Sequence, residues 1–304
     1  MNDLALNVGI VILNYNDAIT VLQLYNKIKD YESLRHIVIV DNCSTDNSYE
    51  VLCQRCDCEK NDDNGLQRKC HVIQTAKNGG YAYGNNVGAK YLMEQCGCEY
   101  IVISNPDVVF SDAYVKHVVA ALRDNPNVGI MSGVMLDKEQ KESRCAFGYI
   151  PSYWDALWEC FYLIRHYKMK WKKNAIDYQQ KIMPVEVVWG SLFVVSSDVY
   201  RRIGGMDEGT FLYHEENILG QKTKDIELTN AILTTEKYIH NHGVTISKGT
   251  DRLKRHVIGM ESQLYFQKKY HKVQGAREHL LRGMMKYSVA ELKVINMLLR
   301  MIGR

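Results

Sequence analysis

No apolar run in this sequence is long enough to cross a bilayer. The most apolar stretch, around Val187 to Val195, falls far short of the roughly 20 residues a spanning helix needs. Met1-Asn2-Asp3-Leu4 shows no basic leader with an apolar stretch behind it. There is also no internal repeat, low-complexity tract or obvious linker. Neither sign of charge dominates: the formal net charge is +3, which gives no whole-molecule argument for a nucleic-acid partner. These absences point to a cytoplasmic chain, soluble or peripheral at the inner face of a membrane. In that compartment the nine cysteines are expected to be mostly reduced.

What is present describes an ordinary globular protein. Hydrophobic residues make up 46% and charged residues 24% of 304 positions, enough for one large domain or two small ones. The basic residues are uneven. Arg165-His166-Tyr167-Lys168-Met169-Lys170-Trp171-Lys172-Lys173 is either a solvated helix face or a patch for an anionic partner.

Apolar runs at 8–13, 36–40, 70–73 and 100–104 read as buried strands, and helical periodicity fills 17–31, 83–95 and 112–123. A helix is expected from near Ser44, with Ser44, Thr45 and Asp46 as candidate caps. Strand alternating with helix implies an α/β fold with parallel pairing. Beyond Val128 the pattern changes. Strand-like pieces at 128–136 and 184–196 flank an aromatic, basic helical segment at 152–173. A short acidic helix is expected at 214–222 and a strand over 238–247, with helices from Asp251 onward.

Three of the expected parallel strands end in polar residues. The first ends in Asn14-Tyr15-Asn16, the second in Asp41-Asn42-Cys43-Ser44-Thr45-Asp46, and the fourth in Asn105-Pro106-Asp107. Open α/β sheets bind ligands at this carboxyl edge. An Asp on a proline-fixed turn there suits a divalent cation held against a phosphate; the plain alternative is an ordinary turn. Asp41 suits hydrogen bonds from a base or ribose. The turn after the first strand lacks the dinucleotide glycine fingerprint. Asn78-Gly79-Gly80-Tyr81-Ala82-Tyr83-Gly84-Asn85-Asn86-Val87-Gly88 opens a helix. Its glycines either let backbone approach a ligand or let the helix pack tightly on the sheet.

Taken in order, these segments resemble the family 2 glycosyltransferases of the GT-A fold, in particular the rhamnosyltransferase-like branch. Trp189-Gly190-Ser191-Leu192-Phe193 resembles that family's acceptor-side strand. Gly204-Gly205-Met206-Asp207-Glu208 and Phe211-Leu212-Tyr213-His214-Glu215-Glu216 resemble its approach to the catalytic base. The resemblance spans about residues 7–250. It implies a GT-A catalytic domain over 1–250, with a nucleotide-sugar half at 1–136, an acceptor half at 137–250 and a helical extension at 251–304. The central sheet is expected to be mostly parallel and flanked by helices.

The resemblance also implies roles. The donor site would use Asn14, Asn16, Asp41, Asn78, Gly80, Asn86, Asn105 and Asp107, and the acceptor site Trp189, Gly190 and Ser191. Asp107 would hold Mg²⁺ or Mn²⁺ on the pyrophosphate, with His240 or His242 as a further ligand. Asn105 stands where many relatives carry Asp, so this metal site has one charge fewer. Glu216 would be the general base, with Glu215 as the fallback. The implied reaction is inverting, metal-dependent transfer of a sugar from UDP-hexose or dTDP-rhamnose to a saccharide or lipid-linked saccharide, in bacterial cell-surface polysaccharide synthesis.

Two other classes are weighed against it. A sugar-phosphate nucleotidyltransferase would want a glycine- and arginine-rich loop after the first strand, and Asn14-Tyr15-Asn16-Asp17 offers none. A catalytically silent nucleotide-sugar-binding or scaffold protein is the other. Cys53, Cys56, Cys58 and Cys70 are read as reduced thiols, with a structural zinc site as the competing reading. A C-terminal stripe of Leu281, Met285, Leu292, Ile295, Leu299 and Ile302 is expected to pack on the chain or on a second copy. Peripheral membrane contact competes with that reading.

Overall fold

The computed structural model describes residues 6–56, 69–142, 146–163, 175–241 and 252–301. The first half alternates β1 (Val8–Asn14), α1 (Ala18–Ile28), β2 (His36–Asp41), α2 (Ser48–Arg55), β3 (Cys70–Gln74), α3 (Tyr81–Glu94) and β4 (Tyr100–Ser104). The second half follows with β5 (Val108–Val109), α4 (Asp112–Arg123), β6 (Val128–Leu136), α5 (Tyr153–Glu159), β7 (Ile182–Val185) and β8 (Leu192–Ser196). It ends in α6 (Ser197–Arg202), α7 (Glu215–Asp225), β9 (Thr229–His240), α8 (Arg252–Lys269) and α9 (Ala276–Met301).

All nine strands form one sheet, in the order β3-β2-β1-β4-β8-β6-β9-β5, with β7 also pairing β9. Pairing is parallel among β3, β2, β1 and β4, while β8 runs antiparallel to both β4 and β6. The sheet is therefore mixed, with its parallel order concentrated in the first half. That half matches its sequence: β1 and β2 are continuous apolar runs because both faces are covered. One cluster packs Val21 and Leu24 of α1, Leu52 of α2 and Val115 of α4 against one face. The other packs Ala89 and Leu92 of α3, Tyr200 of α6 and Leu219 of α7 against the opposite face.

The chain leaves β1 for β2 on one side and reaches β4 on the other. The strand order thus reverses at the carboxyl ends of β1 and β4, the place where open α/β sheets take their ligands. Gly88 lets α3 lie close to this region, since a Cβ there would come within 2.5 Å of Val11. The tight-packing reading of the glycine-rich segment thus holds at Gly88.

Three local expectations differ from the structure. The helix expected near Ser44 begins at Ser48, and its N-cap, Asn47, makes no side-chain cap bond. Ser44 is used instead to bind Asp41. The strand expected over 238–247 starts earlier, at Thr229, and residues 242–251 lie outside the described part. The piece at 184–196 is two strands, β7 and β8. Of the helical segment expected at 152–173, the described residues are helical only over Tyr153–Glu159 (α5) and not at 160–163, and the basic stretch 165–173 lies outside the described residues.

Of the C-terminal stripe, Leu281 and Met285 are buried in a small cluster with Ala156 and Cys160 near α5 and with Met260 of α8. Leu292 is buried as well. Asp207 ties α8 to the body of the protein. It accepts from Tyr265 (2.8 Å), Tyr270 and the Gly209 N–H, and pairs with Lys269 at 2.8 Å. Burial works against ionisation of Asp207, but these donors overcome it and hold its carboxyl down at about 2.

Candidate active site

β4 ends at Ser104, and the Asn105-Pro106-Asp107 turn sends the chain into β5, which pairs with the end of β9. Val108 lies opposite His240, so Asp107 and His240 are neighbours: Asp107 Oδ1 is 3.2 Å from His240 Nε2. The Asn241 N–H donates to the Asp107 carbonyl at 2.9 Å. The Asn105 N–H donates to the Ser191 carbonyl at 2.8 Å, which fixes this turn against the residues leading into β8. A carboxylate oxygen and an imidazole nitrogen thus converge at the carboxyl edge of the sheet. That donor set fits a divalent cation whose other ligands are phosphate oxygens and water. Of the two histidines expected here, His240 is in place and His242 lies outside the described residues.

The two glutamates enter from the other side. Tyr213 and His214 have φ of 73° and 67°, a left-handed conformation that costs a non-glycine residue about 1–3 kcal/mol. This bend starts α7 directly at Glu215. Glu216 Oε1 accepts from the Gly190 N–H at 3.3 Å, and a Cβ on Gly190 would sit 2.8 Å from that oxygen. The Gly190 carbonyl accepts from the Tyr81 hydroxyl at 2.6 Å. Gly190 is therefore the hinge point joining α3, α7 and the start of β8.

Burial raises both carboxyl groups above the ordinary carboxylate range. Glu215 is the more deeply buried, and the adjacent Glu216 charge raises it further. For Glu216 burial is opposed by its own N–H, the Gly190 N–H and the His240 imidazole. The two adjacent carboxyls titrate together, and burial favours the protonated form of both. His240, in contact with Asp107, also acts electrostatically on Glu216.

The expected donor-side residues are brought to one edge, but most of them bind one another. Asp41 is fully buried. Its Oδ1 accepts from Asn14 (2.7 Å) and Ser44 (2.5 Å), and its Oδ2 from the Ser44 N–H (3.0 Å) and Gln74 (3.3 Å). Asn16 is exposed and clasps Thr45. Asn78 accepts from Asn42 and from the Gly80 N–H. Gly80 turns at φ 90°, where a Cβ would lie 2.2 Å from the Phe211 carbonyl oxygen. Asn86 lies away from this edge in its contacts: it holds Met206 and Glu208 and accepts from Tyr200.

On the acceptor side, Trp189 packs partly on the core, and Ser191 shares a 2.8 Å hydrogen bond with the buried Tyr238. Tyr81, Tyr238 and Gln74 escaped the sequence reading. Each holds a site residue from an element that only the tertiary fold brings near. Among the described residues Cys53, Cys56 and Cys70 form no disulfide, and Cys56 and Cys70 pack in the apolar core. Among the described residues they join no cluster of metal-ligating side chains, and Cys58 lies outside those residues.

The architecture defines a class. The chain superposes on the mannosyltransferase PcManGT from Pyrobaculum calidifontis, solved with GDP-Man and Mn²⁺, with a TM-score of 0.56. That match has 14% identity and covers 95% of this chain and 74% of that one. GalNAc-T7, solved with UDP, GalNAc and Mn²⁺, gives a TM-score of 0.60 at 13% identity, covering 93% and 54%. These neighbours establish the GT-A glycosyltransferase fold.

Residues 9–144 match the model of Glycosyl transferase family 2. Among curated relatives it is similar to the low-salt glycan biosynthesis hexosyltransferase Agl10 of Haloferax volcanii, at 25% identity over 210 residues. It is also similar to the dTDP-rhamnosyl transferase RfbF of Shigella flexneri, at 24% over 209 residues. These alignments cover 69% and 68% of the chain but only 59% of each relative's length.

Proposed function

We propose that the protein is an inverting, metal-dependent glycosyltransferase that moves a sugar from a nucleotide diphosphate to a saccharide or lipid-linked saccharide acceptor. The observation that carries this reading is the Asp107–His240 pair at the carboxyl edge of the sheet, with Glu216 held by the Gly190 N–H just before β8. A divalent cation, Mn²⁺ or Mg²⁺, would be held by Asp107 and His240, and it would neutralise charge on the departing diphosphate. Asp107 and His240 orient the donor at the carboxyl ends of β1 and β4. Glu216 accepts the acceptor hydroxyl's proton as that oxygen attacks. Gly190 leaves room for the Glu216 carboxylate, and Trp189 and Ser191 line the acceptor approach.

UDP-hexose and dTDP-rhamnose are the donors we favour, the latter supported by similarity to the dTDP-rhamnosyl transferase of Shigella flexneri. Residues 1–250 would form the catalytic domain and 251–304 an extension, with bacterial cell-surface polysaccharide synthesis at the cytoplasmic face of a membrane as the setting. No helix among the described residues is long and apolar enough to cross a membrane. Leu280, Val294, Met297 and Leu298 are nonetheless exposed on α9, which supports peripheral contact or self-association there.

The test is a thermal-shift screen of nucleotide-sugars with Mn²⁺, followed by nucleotide diphosphate release with and without saccharide acceptors. Release that needs both acceptor and Asp107 supports the reading. Donor binding without release under any acceptor would favour a silent binding protein instead.

A further inference from the structure

The far edge of the sheet carries a second cluster of ligand atoms. His36 opens β2, His71 is the second residue of β3, and Cys96 follows α3. One ligand atom from each of these three side chains lies within 4.8 Å of the others. They come from segments far apart in sequence and converge because β2 and β3 are adjacent parallel strands beneath the C-terminus of α3. His36 and Cys96 are buried and His71 is half-buried, so the cluster is shielded but reachable.

We propose that His36, His71 and Cys96 bind Zn²⁺, at a site separate from the cation site at Asp107. The donor set decides the metal. Two imidazoles and a thiolate suit zinc, whereas Mg²⁺ and Mn²⁺ prefer carboxylate, carbonyl and water oxygens. Three protein ligands leave a fourth tetrahedral position to water. The surroundings are already arranged for a metal. The Tyr91 hydroxyl sits 3.2 Å from His71 Nδ1, the kind of outer-shell contact that metal-bound histidines use. The Asn7 amide holds the Cys96 carbonyl at 2.8 Å, and the C-terminal carbonyls of α3 favour a cation. Binding replaces the Cys96 thiol proton, which is released to solvent. The site lies about 16 Å along β2 from Asp41, at a rise of about 3.3 Å per residue. Zinc there would fasten β2, β3 and the end of α3 together.

Tag-free protein stripped with chelator and titrated with Zn²⁺ against a chromophoric competitor should bind one equivalent. Co²⁺ in its place should give a thiolate-to-metal charge-transfer band. Both signals should survive in Asp107→Ala and be lost in Cys96→Ser. Tyr91→Phe should weaken zinc binding by about tenfold, the lower end of outer-shell effects. Because core variants can misfold, the unmodified protein supplies a parallel test. Alkylation of Cys96, read by peptide mass spectrometry, should be blocked by Zn²⁺ and not by Mn²⁺. Equal alkylation in both ions overturns the site. So does a zinc equivalent that persists in Cys96→Ser.

Discussion

The two halves of the sheet treat their polar residues in opposite ways. At the carboxyl ends of β1, β2 and β3, polar side chains bind each other: Asp41 is enclosed by Asn14, Ser44 and Gln74, and Asn42 holds Asn78 and the Gly80 carbonyl. In the second half, Asp107, His240 and Glu216 sit on backbone that is more strained. They are placed by a two-residue strand, by left-handed Tyr213 and His214, and by a register shift within β9. The first half is a frame whose hydrogen bonds are spent on shape. The second is a wall whose acidic groups are set by bent and shifted backbone.

The largest break in this contrast should come from Asp107→Ala. On the proposed reading the cation supplies several kcal/mol of charge stabilisation, so transfer should fall by about a thousandfold or more. Mn²⁺-dependent donor binding, read by thermal shift, should vanish with it. Glu216→Gln should keep donor binding but lower transfer by about 10²–10⁴-fold, the usual contribution of a general base. Near-normal turnover in that variant would remove Glu216 from the role. Gly190→Ala tests placement of the same carboxylate. Its Cβ would press on Oε1 at 2.8 Å, a contact that the flexible Glu216 side chain can relieve only by moving. We expect a loss of about tenfold in kcat, smaller than that of Glu216→Gln.

Glu215→Gln addresses stability and pH together. Burial and the Glu216 charge raise the folded-state pKa of Glu215 above its unfolded value. The folded protein therefore binds the extra proton over the interval between the two values. Stability present below the unfolded pKa is lost as pH rises through the folded one. Glutamine mimics the protonated form, so the variant should melt higher than the wild type at alkaline pH and show a flatter dependence of Tm on pH. The acid limb of the wild-type rate profile should also lie above the ordinary glutamate range of about 4.3, because the pair that supplies the base titrates high.

Legibility in the sequence follows the same division. β1, β2 and β4 are continuous β-branched runs buried on both faces, and α4 begins at a side-chain cap, Ser111. Local pattern suffices for such elements. It fails at β5, whose two residues are a strand only because His240 and Ile239 pair with them. It fails again at the start of β9, where Thr229 to Glu236 carries polar residues on a strand held by β6 and β7. The carboxylates of the candidate site were legible as motifs. What held them was not: Tyr81, Gly190 as a hydrogen-bond donor, and Gln74 act across long sequence separations. The cysteine spacing pointed to Cys53, Cys56, Cys58 and Cys70, whereas the fold assembles His36, His71 and Cys96, which share no linear motif.

The smallest effect concerns whether the frame touches the donor at all. Gln74 is exposed, and its amide caps Asp41 Oδ2 at a long 3.3 Å. Among the described partners of Asp41 it is the exposed one, which a ligand donor could replace without moving Asn14 or the β2–α2 loop. If Asp41 recognises the base or ribose, a bound nucleotide must displace that amide, at a cost near the net worth of one hydrogen bond, about 0.5–1.5 kcal/mol. Gln74→Ala removes this competition, so the donor Kd should tighten by about two- to tenfold, measured by calorimetry with the metal present. Asp41→Asn should weaken the donor and also lower Tm, because the Ser44 N–H and hydroxyl lose a charged acceptor. A donor Kd untouched by Gln74→Ala, alongside an Asp41→Asn variant that only melts earlier, would make Asp41 purely part of the frame. Nucleotide recognition would then move to the exposed Asn16 and Thr45 clasp beside it.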